Sequence, residues 1–182
     1  MSALEWAERV SDALDRVARA LVAVLVAVMS IVLIAQVFFR FVLQNSLSWS
    51  EELSRYLFVW VSMLGAGIAL RQHFHPGLTL VVDRLPPRAR AAVKVLAQLL
   101  VLALLIVVIR EGYELGRMNA WQRSPAMGIP MTYPYAAVWV GAAVMAVHVV
   151  RFLLQAMVAL LGWSAEPAAK TEPLPQEERL GS

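Results

Sequence analysis

Whatever chemistry this chain performs falls to a few ionisable residues, which form four groups. Glu51, Glu52 and Arg55 lie within five residues of one another. Ser48 with Glu51 fits a capping box, and both carboxylates suit the positive end of a helix. Glu51 also precedes Arg55 by four residues, the favourable order for a same-face ion pair. Two readings follow: a helix start at a membrane interface, or a docking site for another membrane subunit. His73 and His75 could suggest a metal pair, but residues two apart on a helix do not face each other and no third ligand lies nearby. A solvated role is the better expectation. His148 stands alone in an apolar run, whereas a haem between helices needs a second axial ligand at the same depth. A hydrogen-bonded packing histidine is expected instead. Arg110, Glu114 and Arg117 are spaced for structural pairs, Arg110 with Glu114 and Glu114 with Arg117. No nucleophile elbow, phosphate loop or zinc-protease helix occurs in the sequence, so no catalytic residue, cofactor or metal ligand is assigned.

The elements that must position these residues are membrane spans. Of 182 residues, 60% are hydrophobic and 16% charged, with a mean hydropathy of +0.65. That composition leaves too little polar surface for a water-soluble globule. The absence of cysteine excludes a disulfide scaffold, a thiolate nucleophile and a Cys-ligated metal. A bilayer core of ~30 Å takes about 20 apolar helical residues. Four stretches qualify, giving spans at about 20–43, 49–70, 91–117 and 133–161. Period-2 alternation of β-barrel strands is missing. The expected fold is all-α: a four-helix membrane domain over residues 1–163, then a disordered cytoplasmic tail over 164–182, rich in Pro and Glu.

Two smaller helices are also expected. Residues 2–19 place Leu4, Ala7, Val10, Leu14, Val17 and Leu21 at helical spacing, an amphipathic helix lying on the inner surface and leading into the first span. In the middle loop, Leu78, Val81, Val82 and Leu85 share one face of a short in-plane helix ended by Pro86-Pro87. The brief connection at 44–50 makes spans one and two antiparallel neighbours. Ser124 to Met131 carries two prolines and must be non-helical, against protein or at the interface. Gly65, Gly67 and Gly141 are read as sites of close helix packing.

Eleven of the sixteen Lys and Arg fall in the N-terminal segment, the middle loop with its flanks, and the C-terminal segment. Both termini should therefore face the cytoplasm. Tyr133, Tyr135 and Trp139 then sit at an outer aromatic belt, with Trp163 near the inner one.

The run from Phe38 through Arg40, Ser46-Leu47-Ser48-Trp49-Ser50-Glu51-Glu52 and Arg55 to Val59-Trp60 and Leu64-Gly65-Ala66 resembles the small permease subunit of TRAP transporters, the tripartite ATP-independent periplasmic class. The Arg71 to His75 turn, Leu85-Pro86 and the Ser124 to Met131 segment are similar to later parts of that pattern. The resemblance covers about Val10 to Leu161. Pro76-Gly77 and Thr79 depart from it, where the family often has a branched aliphatic and then an acidic residue.

The resemblance implies a non-enzymatic scaffold in the bacterial inner membrane. Its partners would be a large multi-span permease subunit carrying the substrate and sodium sites, and an extracytoplasmic solute-binding protein. The cargo would be a C4-dicarboxylate, a sialic acid or another organic carboxylate. Membrane lipids surround such a subunit, and nucleic acid has no part. On this basis Arg40, Trp49, Glu51, Glu52, Arg55 and Trp60 are the candidate contacts with the large subunit. Two rival functions make different demands. A self-sufficient proton-coupled transporter would use Glu51, Glu52, Glu111 or Glu114, and a haem-bearing anchor of an oxidoreductase would use His148.

Overall fold

A computed structural model of the chain describes residues 3–45, 47–73 and 86–160. These residues form four long helices: α1 (Ala3–Phe41), α2 (Ser48–His73), α3 (Pro87–Met118) and α4 (Thr132–Leu160). All four are long and apolar enough to cross a bilayer, and the protein is an all-α membrane protein. The middle-loop helix and the tail from Ser164 lie outside the described residues, as do Trp163, His75 and the Pro76-Gly77 departure.

Basic residues bracket the apolar runs of α2 and α3. In α2, Arg55 and Arg71 stand sixteen positions apart, about 24 Å at the helical rise. Lys94 and Arg110 bracket α3 at the same spacing. Both intervals fall a little short of ~30 Å.

α1 packs on α2 and α4, α2 also packs on α4, and α3 lies mainly against α4. The short first connection thus does make α1 and α2 neighbours. Two contacts set the spacing of the centre. A Cβ placed on Gly141 of α4 would stand 2.6 Å from Met63 Cβ of α2, so only glycine lets these backbones approach. A Cβ on Gly112 of α3 would meet Trp139 and Val138 at 3.3 Å. Gly67 shares the α2–α4 contact, 3.3 Å from Val144, but Gly65 has nothing within 4 Å. The packing role expected of Gly65 inside this chain is therefore not found, because it lies on the open side of α2. Leu105, Ala142 and Val149 form a small buried core between α3 and α4.

The N-terminal turns do lead into the first span. Residues 3–19 continue into the first span as one helix. The side turned to the bundle carries Ala7, Ser11, Asp15 and Ala18, while Val17 and Leu21 stay exposed. Small residues win this face because lipid accepts a Leu or Val surface as readily as a neighbouring helix does.

Candidate functional site

Two polar sites mark the two ends of the bundle. The first lies where α1 connects to α2 and α3 to α4. The chain turns after α1 through Gln44, whose φ of 50° is a left-handed conformation that a non-glycine residue seldom takes. The first turn of α2 then presents its carboxylates in different directions. Glu51 pairs with Arg55 at 3.2 Å, with both side chains largely exposed, as the four-residue spacing predicts. Such a pair in water contributes little to stability.

Glu52 points the other way, into the connection between α3 and α4. Its Oε2 accepts the backbone N–H groups of Ala126 at 2.7 Å and Met127 at 3.2 Å. Its Oε1 accepts the hydroxyl of Tyr56, one turn further along α2. Tyr56 in turn lies 3.4 Å from Met131 Sδ. A single carboxylate thereby clamps a segment more than seventy residues away in sequence.

That segment is built to be held. After α3 ends at Met118, Arg123 and Pro130 form an isolated antiparallel bridge. Ser124 and Ile129 close a tight loop, with the Ile129 N–H donating to Ser124 Oγ at 3.2 Å and the Ser124 N–H to the Ile129 carbonyl at 2.9 Å. Gly128 at φ 67° supplies the reversed turn. The non-helical expectation for Ser124 to Met131 is met, and its orphan amides are the ones Glu52 accepts. Trp60 reinforces the clamp by donating its indole N–H to the Tyr133 carbonyl at 3.2 Å.

The six candidate residues are thus divided. Glu52 binds the α3–α4 connection to α2, and Trp60 binds the first turn of α4. Glu51 and Arg55 pair on an open side of α2, and Trp49 is 41% exposed. Arg40 is exposed at the end of α1, with its guanidinium 5.8 Å from the Phe41 ring. Nearby, Glu114 and Arg117 approach to 3.9 Å as their spacing suggests. Arg110 instead faces Glu111 at 3.9 Å, so the Arg110–Glu114 pair expected from sequence is replaced by a neighbour contact.

The second site, at the end where α1 begins and α4 ends, joins three helices. Asp15 of α1 is 2.8 Å from Arg19 and 2.6 Å from Arg71 of α2. Arg71 also binds Asp12, which Arg151 of α4 approaches at 3.9 Å. Ser11 and His148 share a buried hydrogen bond of 2.8 Å, and Gln155 donates to Glu8 at 3.2 Å. His148 is the hydrogen-bonded packing histidine that its position suggested. The remaining partners were not singled out in the sequence. The one signal available was the row of small and polar residues Ala7, Ser11, Asp15 and Ala18, spaced four, four and three apart.

Comparison with known proteins identifies what carries this geometry. The family model for the DctQ component of tripartite ATP-independent periplasmic transporters matches residues 29–159. The chain belongs to this family. It is a TRAP transporter small permease subunit, a transport component and not an enzyme. It is 31% identical to a putative TRAP transporter small permease protein of Haemophilus influenzae, over 71% of this chain and 81% of that one. It is 30% identical to the sialic acid TRAP transporter small permease protein SiaQ of Vibrio cholerae, over 78% of this chain and 82% of the relative. A third match is the isethionate TRAP transporter permease protein DctMQ of Oleidesulfovibrio alaskensis, 29% identical over 58% of this chain but only 17% of the relative. In that protein the sequence resembling this small permease subunit is a minor part of a much longer polypeptide.

Proposed function

We propose that this small permease subunit is a fixed scaffold for a large TRAP permease subunit, supporting ion-gradient-driven uptake of an organic acid. An extracytoplasmic solute-binding protein delivers the cargo, and the large subunit moves it. Both termini face the cytoplasm of the inner membrane, following the excess of Lys and Arg at that end. The Glu52 clamp is then on the outer side. The names of the relatives, with sialic acid in one and isethionate in another, support an acidic solute but do not choose between a C4-dicarboxylate, another carboxylate and a sulfonate.

The observation that carries this reading is the open side of α2. The helix packs on α1 and α4, yet Phe58 is 60% exposed and a Cβ placed on Gly65 would meet no atom within 4 Å. Ser62, Ala66 and Ala69 are exposed on the same side, below the Glu51–Arg55 pair. Small residues let a second helix come close in lipid, where van der Waals contact drives association. Arg40, Trp49, Glu51 and Arg55 mark the outer rim of that contact, while Glu52 and Trp60 hold its shape from within.

Gly65→Leu tests the reading. A Cβ at this position meets no atom within 4 Å, so the subunit is expected to insert and purify. Recovery of the large subunit with it in mild detergent is expected to fall on the order of tenfold, the effect of a misfit in a close helix contact. Unchanged recovery would remove α2 from the interface.

A further inference from the structure

We infer that the N-terminal turns of α1 dock on anionic lipid headgroups through Trp6, Arg9 and Arg16. The inference needs only that the chain spans a membrane, so it stands or falls apart from the scaffold proposal. α1 carries one apolar stripe on its open side, from Trp6 through Val17, Val24 and Ile31 to Phe38, all more than half exposed. Trp6 and Phe38 stand 32 positions apart, about 48 Å along a straight helix, against a hydrocarbon core of ~30 Å. Hiding all of it in the core would need a tilt beyond the ordinary range for membrane helices.

The excess falls at the Trp6 end. At the far end the exposed Phe41, Val42 and Leu43 already carry the apolar surface past Phe38, and Arg40 with the exposed Glu51–Arg55 pair marks the interface there. At the near end the helix cannot rotate to hide the stripe, because Ser11 is locked to His148 and Asp15 to Arg71. Trp6 therefore stands in the headgroup layer, the depth at which tryptophan accumulates.

Charge selects the lipid. Arg9 and Arg16 are exposed and sit seven positions apart, on nearly one line along the edge of the stripe. The carboxylates of Asp15 and Glu8 are turned to the bundle, engaged with Arg71 and Gln155, and Asp12 binds Arg71. Glu5 shares the basic edge. A tryptophan face bordered by arginines is the surface that binds an anionic interface.

The test uses the full chain in nanodiscs of phosphatidylcholine with or without phosphatidylglycerol. Trp6 is followed as the part of the emission lost in Trp6→Phe, with bromine-labelled lipid and aqueous iodide as quenchers. Phosphatidylglycerol is expected to move Trp6 into reach of the lipid quencher and shield it from iodide. Arg9→Gln with Arg16→Gln should weaken that docking on the order of tenfold or more. Three outcomes overturn the inference: iodide access that ignores phosphatidylglycerol, docking unchanged in the double variant, or shielding that arises only when the large subunit is added.

Discussion

Replacing Gly141 by alanine will destabilise the folded chain by roughly 3 kcal/mol, the upper range for forcing extra volume into a packed interior. The new Cβ would meet Met63 at 2.6 Å from its Cβ and 3.1 Å from its carbonyl carbon. The second contact is with backbone, so no rotamer change relieves it, and α2 must move off α4. The same substitution at Gly65 is the control. It meets no atom within 4 Å and replaces a poor helix former by a better one. Thermal unfolding in detergent checks both: a large fall for Gly141→Ala, and no change or a rise for Gly65→Ala. Equal behaviour of the two variants would mean that α2 and α4 do not approach as described.

Glu52→Ala will release the connection between α3 and α4 while leaving the helices in place. Two backbone N–H groups, of Ala126 and Met127, lose their acceptor together, and Tyr56 loses its carboxylate partner. Charge-assisted hydrogen bonds are the strong ones. Amide exchange at Ala126 and Met127 is therefore expected to accelerate on the order of tenfold or more, as local opening becomes easier. Glu52→Gln keeps one acceptor and should fall between. Glu51→Ala removes only an exposed ion pair and should leave these amides unchanged. If Glu51→Ala and Glu52→Ala release the segment equally, the clamp is misassigned.

The contrast between these carboxylates shows where sequence reading reaches its limit. The spacing of Glu51 and Arg55 is local, and the expected pair forms. The backbone partners of Glu52 lie 74 and 75 residues away, and no periodicity announces them. The four spans were legible because a helix that crosses lipid needs a long apolar run whatever its neighbours do. The prolines from Ser124 to Met131 forbade a helix there by removing donors, a local rule that tertiary structure does not override.

Helix faces were harder to read. In α1 the apolar periodicity marked a membrane-facing side but not which residues meet the bundle, and Ala7, Ser11 and Ala18 do. Where the solvent is itself apolar, hydrophobicity alone does not separate a lipid face from a helix contact. Gly141 and Gly65 look alike in sequence, yet one is pressed against Met63 and the other is open. Only the helix crossing tells them apart. His148 was legible as a packing residue, but Ser11, its partner 137 positions away, was not.

The division of labour between subunits is tested most directly by reconstitution. Proteoliposomes would hold this chain alone, the large permease subunit alone, or both, each with the solute-binding protein, its acidic ligand and an imposed ion gradient. The scaffold account predicts accumulation only where both membrane subunits are present. Gradient-driven accumulation by this chain alone would contradict it.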